Sequence, residues 1–151
     1  MTSDEPRTKV QRKADVLAKL NARVVDAWVA TASDGRPHLV PLTLAWHDDR
    51  IVLATDRNAP TARALEAQGT ARLALGHTRD VVLIDAVREQ TVPVAEAQEL
   101  GAVYAAQNDW DPRTAGPDYV FLVLRPDRIQ AWREVNELPG RTLMRSGTWV
   151  I

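Results

Sequence analysis

The 151-residue chain has no cysteine, which removes disulfides and thiolate metal sites from consideration. No apolar run approaches the ~20 residues that a membrane-spanning helix needs. Neither sign of charge dominates: the net charge is −1 and the pI about 6.3, so the surface gives no counter-ion for nucleic acid or an anionic membrane. Gly-x-Ser-x-Gly, Walker-type and Gly-x-Gly-x-x-Gly patterns are all missing. His38, His47 and His77 are far apart and match no metal-ligand spacing. No side-chain pair suggests acid–base chemistry, so catalysis by this chain would have to be carried by a cofactor. The start, Met1-Thr2-Ser3-Asp4-Glu5-Pro6-Arg7, is polar and lacks the apolar segment of a signal peptide, which points to a cytoplasmic protein. No linker-like composition divides the chain, and a single domain over residues 1–151 is expected.

What is present reads as strands. Residues 8 to 21 place Val10, Ala14, Leu17, Ala18 and Leu20 among Lys9, Gln11, Arg12, Lys13, Asp15 and Lys19, which predicts a helix within residues 1–22 whose basic side chains form a solvated face. Arg7, just before it, counts as an ordinary surface arginine. A strand from Val24 to Ser33 meets Asp34-Gly35, a hairpin turn, and returns from Pro37 to His47. In the return strand Val40, Leu42, Leu44 and Trp46 form a heavy apolar face expected in the core. Pro41 cannot donate to a ladder, so this strand lies at an edge or bulges there. That leaves neighbouring backbone groups for a flat ring, or simply makes an ordinary edge.

Asp48-Asp49 turns into Ile51 to Ala54, an unbroken apolar run. Further strands are expected at Thr70 to His77 and Asp80 to Val87, and a helix over residues 94–107. A loop over 108–117 follows, then a hairpin of Tyr119 to Leu124 with Arg128 to Glu134 about Pro126-Asp127. A short hairpin at Ser146-Gly147 closes the series. Strands joined by short turns argue for a mainly β, antiparallel barrel with flanking helices rather than a doubly wound sheet.

The stretch Arg50 to Leu65 reads as a buried strand feeding a loop and short helix, with Asn58 or Ala59 as cap, Pro60 in the first turn and Gly69 at the end. Thr55 and Thr61, Arg57 and Arg63, together with the free N–H groups at the helix start, are candidates to hold one phosphate. The plain alternative makes Arg57 a solvated loop residue and pairs Arg63 with Glu66.

Five segments in this order resemble the pyridoxamine 5′-phosphate oxidase-like split β-barrel family: Asp34 to Leu42, Ile51 to Thr55, Pro60 to Leu65, Ala71 to Leu75 and Arg128 to Arg133. The resemblance covers roughly residues 20 to 135. It implies a six-stranded antiparallel split barrel that binds FMN or, alternatively, the deazaflavin F420, as a homodimer with two cofactor sites at the interface. On it, Val40, Pro41, Leu42 and Thr43 border the flavin ring, Thr55, Arg57, Thr61 and Arg63 hold the phosphate, and Trp132 or Arg133 reaches the partner's cofactor. Two departures stand out: Thr61 occupies a position where many relatives have Lys, and Ala64 one where they have Asn. The strands' adjacent apolar residues also need covering on both faces, which a dimer supplies. The tail, residues 136–151, is expected to brace the dimer rather than cover the cofactor.

The implied activity is hydride transfer between the cofactor and a small organic substrate. The alternative is a non-catalytic protein that sequesters or senses a cofactor or tetrapyrrole. Vitamin B6 oxidation lacks a basic and aromatic substrate signature. Which of Arg36, Arg79 and Arg113 line the cleft is not decided by sequence.

Overall fold

The computed structural model describes residues 5–151; Met1 to Asp4 of the polar N-terminal stretch lie outside it. The elements are α1 (Lys9–Leu20), β1 (Val25–Ser33), β2 (Arg36–His47), β3 (Arg50–Asp56), α2 (Pro60–Gln68), β4 (Thr70–Leu75), β5 (Val81–Pro93), α3 (Gln98–Asn108), β6 (Tyr119–Trp132), β7 (Thr142–Arg145) and β8 (Thr148–Trp149). The sheet order is β3-β2-β1-β4-β5-β6-β7-β8, and β3 also pairs with β6. That extra pairing closes the first six strands into an antiparallel barrel, and β7 and β8 extend from β6.

Turn chemistry sets the hairpins. Asp34 and Gly35 sit at φ 52° and 76°, and Ser146 and Gly147 at 51° and 77°, the paired left-handed conformation that matches strand twist. Asp48 and Asp49 adopt it at 51° and 57° without a glycine. Aspartate tolerates this region better than most side chains.

Val29, Leu44, Ile51, Leu53, Leu73, Ile84, Leu122 and Ile129 fill the barrel. Val16 and Leu20 of α1 plug one end and Ala62 and Leu65 of α2 the other. Outside the barrel, α3 lays Tyr104 on Ala45, Val52, Ala54 and Phe121.

Several expectations need correction. Tyr119 to Trp132 is one 14-residue strand, with no hairpin at Pro126-Asp127. Ala86 faces Pro126 and Asp85 faces Arg128, so Asp127 is the extra residue of a bulge. The bulge turns the inward face from even positions to odd ones, and Pro126 sits where no regular ladder bond is lost. The strand expected to end at Val87 runs to Pro93, and the expected helix over 94–107 is a 3-10 turn, Val94–Glu96, followed by α3. Of the heavy face of β2 only Leu44 is buried; Val40, Leu42 and Trp46 are half-buried.

The α1 basic face is also not simply solvated. Arg12 is 3% exposed. Its guanidinium donates to the carbonyls of Ala131 at 3.1 Å and Glu137 at 2.9 Å. Arg7 is no ordinary surface residue either: it donates from Nε and Nη2 to Glu137 at 2.9 and 2.7 Å. Lys9 Nζ donates to the Val150 carbonyl and Lys13 lies over the Trp149 ring. The tail is therefore braced against its own chain, at the α1 end of the barrel.

Candidate cofactor site at the open edge of β2

β2 pairs with β1 over Arg36 to Leu44 without a register shift, but β3 joins it only through Leu44 to His47. Past Leu53, β3 stays with β6 as far as Asp56. The two strands therefore part, and among the described residues no strand pairs with the outer edge of β2 from Arg36 to Thr43. Tyr104 Oη donates to the Thr43 carbonyl at 2.9 Å. Tyr104 belongs to the cluster of Ala45, Val52 and Ala54 outside the barrel, so the Thr43 backbone groups face the open edge. Antiparallel alternation then turns those of Leu39 and Pro41 the same way. Pro37 and Pro41 both occupy such positions, where a missing N–H removes no bond to β1. The edge-strand expectation for Pro41 holds, and no bulge forms there.

The start of α2 stands beside the place where β2 and β3 part. Ala59 caps it without a side-chain bond, Pro60 occupies its first turn, and Gly69 ends it at φ 77°. Asp56 Oδ1 accepts from the Asn58 N–H at 2.8 Å and shapes the entry loop. The first intrahelical bond runs from Arg63 N to the Ala59 carbonyl, so the Thr61 and Ala62 N–H groups precede it. They present the positive end of the helix dipole.

Helical periodicity separates the predicted phosphate ligands. Thr61 faces the core with Leu65 and is 2% exposed, while Arg63, two positions on, points to solvent on the opposite side. Pro60 and Ala64 border a groove of about 610 Å³ lined by Ser33, Asp34, Arg36, Pro37 and His38. Ala62 and Glu66 border another, of about 330 Å³, with Arg57, Thr91, Pro93 and Val120. Thr55 lies half-buried at the end of β3. Arg57 leans on the Pro117 carbonyl at 3.4 Å and Asp118 at 3.7 Å. Glu66 lies 3.8 Å from Arg88 rather than pairing with Arg63.

Arg36 and Arg63 make no ion pair or side-chain hydrogen bond with a described residue, unlike most arginines of the chain. Of the basic residues left open by sequence, Arg36 lines the groove beside α2. Arg79 instead pairs with Glu134 at 3.0 Å and Arg113 with Asp111 at 2.8 Å. Arg36 and His38 share the even-numbered face of β2 with Val40.

Trp132 lies at the other end of β6, half-buried and opposite Val81. Arg133 is engaged by Asp80 at 3.4 Å and Asp15 at 3.8 Å. Within one chain, then, Trp132 and Arg133 are not beside the open edge. Cross-strand pairs join Pro41 to Trp28, Trp28 to Ala74, Ala74 to Leu83 and Val81 to Trp132, an apolar stripe on the outer face of five strands. In it Trp28 is 53% exposed, and the adjoining Leu39 59%.

A second concavity, about 500 Å³, lies where β1 leaves β4 and is lined by Thr31, Thr70, Arg72, Asp85 and Asp127 among small apolar residues. Among the described residues no cluster of His, Asp and Glu is arranged to hold a metal ion.

Solved structures with this fold include an F420 reductase, 18% identical, TM-score 0.63, matched over 74% of this chain and 94% of that one. A pyridoxamine 5′-phosphate oxidase-related FMN-binding protein from Nostoc punctiforme is 16% identical, TM-score 0.53, over 82% and 78%. A heme-binding protein from Mycobacterium smegmatis is 21% identical, TM-score 0.63, over 93% and 59%. No curated protein matches the chain. The family model described as pyridoxamine 5′-phosphate oxidase matches residues 17–133, and the chain belongs to that family.

Proposed function

We propose that the protein is a flavin-type oxidoreductase that binds FMN, or alternatively the deazaflavin F420, and transfers hydride to or from a small organic substrate. The observation that carries this reading is the parting of β2 and β3 beside the start of α2. It brings a partnerless strand edge next to free helix N–H groups and two unpaired arginines. A planar ring with an acidic tail suits that combination. Backbone groups of Leu39 to Thr43 would orient the ring, with Val40 and Leu42 behind them. The Thr61 and Ala62 amides, with Arg36 and Arg63, would hold the phosphate. Buried Thr61 would contribute its backbone more readily than its hydroxyl. When bound, the cofactor supplies the hydride chemistry; the chain supplies orientation and charge.

The protein acts as a homodimer in this proposal, with the Trp28–Leu83 stripe as the shared face and Trp132 of each chain carried toward the other's site. The likeness to a heme-binding protein over most of the chain supports a second reading, a non-catalytic cofactor- or tetrapyrrole-binding protein. Absorption spectra after separate additions of FMN, F420 and hemin, followed by anaerobic oxidation of the reduced complex with candidate acceptors, separate the two. Turnover supports the oxidoreductase; tight binding without turnover supports the second reading.

A further inference from the structure

α3 supplies side-chain partners to the backbone of β2 on both of its edges, Asn108 and Gln107 on the side where β1 begins and Tyr104 on the side where β3 leaves. Asn108 stands in for a peptide, its Nδ2 donating to the Leu44 carbonyl at 2.9 Å while its Oδ1 accepts from the Val25 N–H at 3.3 Å. Gln107 accepts from the Trp46 N–H at 2.9 Å. Tyr104 is the last of the three and the one that touches the open edge, at the Thr43 carbonyl. Its ring is 1% exposed, wedged against Phe121 and Trp110 at centroid distances of 5.8 and 5.9 Å. The hydroxyl thus has a fixed origin, and Thr43 is pinned from its other side by Oγ1 donating to Asp26 at 2.6 Å.

This contact changes what the edge offers. Leu39, Pro41 and Thr43 point outward; Pro41 has no N–H and the Thr43 carbonyl is occupied. Between Leu39 and Tyr104 the free groups are, in order, the Leu39 N–H, the Leu39 and Pro41 carbonyls, and the Thr43 N–H. An unmodified strand would alternate donor and acceptor throughout. Here two carbonyls stand between two amides, and the series stops at Tyr104.

Resting on the cofactor site proposed above, we propose that Tyr104 is a positioning residue: its hydroxyl closes the hydrogen-bond series of β2 at Thr43, so that the ring registers its polar edge on the Pro41 carbonyl and the Thr43 N–H. The partner this selects is a heterocycle presenting an N–H beside a carbonyl, as the pyrimidine edge of a flavin or deazaflavin does. Burial raises the Tyr104 hydroxyl above the ordinary tyrosine range, with the nearby Asp26 carboxylate adding to it, so the group stays a donor across the working pH range.

The test is FMN titration, followed by visible absorption, of the wild type, Tyr104→Phe and a control, Gln107→Met, which removes the same kind of backbone contact away from the open edge. Tyr104→Phe is expected to weaken FMN binding about tenfold and shift the visible band of bound FMN, because the freed Thr43 carbonyl lets the ring slip. Gln107→Met is expected to lower the unfolding midpoint with the band unchanged. Matching affinity and band position in Tyr104→Phe and the wild type overturn the positioning role while leaving the cofactor site standing. Should Tyr104→Phe fail to fold, 3-fluorotyrosine incorporation replaces it, a stronger donor expected to shift the band; no shift overturns the proposal. If the wild type binds neither FMN nor F420, the site itself is refuted, and this role with it.

Discussion

Arg36 and Arg63 differ from most of the chain's arginines in what they lack. Arg7, Arg50, Arg72 and Arg113 each meet a carboxylate within 2.8 Å, whereas the two beside α2 meet none among the described residues. A charge-assisted contact to phosphate contributes about 1.5–3 kcal/mol. Arg36→Ala and Arg63→Ala should therefore each weaken FMN binding about tenfold or more by equilibrium titration. Exposed Arg145→Ala should not. Arg7 cannot serve as the neutral control that its sequence position suggests, because it is tied to Glu137. There the Arg7 guanidinium, hydrogen-bonded to the Glu137 carboxyl, holds it down at about 2 against the cost of burial, with the Arg7 and Arg133 N–H groups helping.

A carboxyl depressed in the fold contributes stability that is complete above its ordinary value near 4.5 and is lost as pH falls toward about 2. By that linkage Glu137 contributes about 3 kcal/mol. Urea denaturation between pH 6 and 2 should show Glu137→Gln less stable at pH 6 by about 3 kcal/mol or more, since Arg7 and Arg12 lose their buried partner, and less sensitive to acid. None of this was visible in the sequence, where Arg12 and Glu137 lie among charges that look solvated. The pairing spans 130 residues, and helical periodicity says only which residues share a face, not what lies opposite.

At the scale of elements, local chemistry was legible and long-range relief was not. Asp34-Gly35, Ser146-Gly147, Pro60 and Gly69 form the turns and helix ends that their backbone preferences require. Pro126-Asp127 carries an equally strong turn signal, yet β6 runs through it. Its residues pair with β5 along nearly the whole strand and with β3 along the first part, and those ladders outweigh a local preference that a bulge can absorb. The open edge of β2 was half legible: Pro41 announced an edge, but Tyr104, whose side chain finishes it, is 61 residues away in sequence.

The α2 start offers an element-scale test, since Ala59 provides no cap. Ala59→Asp should stabilise the fold by about 1 kcal/mol, as an N-cap oxygen does. The same carboxylate would occupy the anion position, so FMN affinity should fall while the unfolding midpoint rises. Parallel calorimetry and titration check both, and an unchanged affinity would remove the phosphate from this helix.

For the whole molecule, the outer stripe from Leu39 and Pro41 through Trp28, Ala74 and Leu83 to Val81 and Trp132 is apolar where an isolated barrel would be polar. If it is the dimer face, Trp28→Asp should yield monomers in sedimentation at micromolar concentration with the barrel's circular dichroism retained. A wild type that is itself monomeric there would contradict the dimer. Because Trp132 and Arg63 lie toward opposite ends of one barrel, only a second chain can bring them together. Mixing Trp132→Ala with Arg63→Ala protein should then regenerate one intact site per heterodimer. Mixed dimers that bind FMN no better than either parent would confine each site to one chain.

Amide hydrogen exchange read residue by residue, with and without FMN, tests most directly where the cofactor lies. Binding as proposed slows exchange at Leu39 and Thr43 on the open edge and at Thr61 and Ala62 at the helix start, and leaves the Thr31–Arg72 groove unchanged. Protection confined to that groove, with Leu39, Thr43, Thr61 and Ala62 exchanging as in the free protein, would contradict the site.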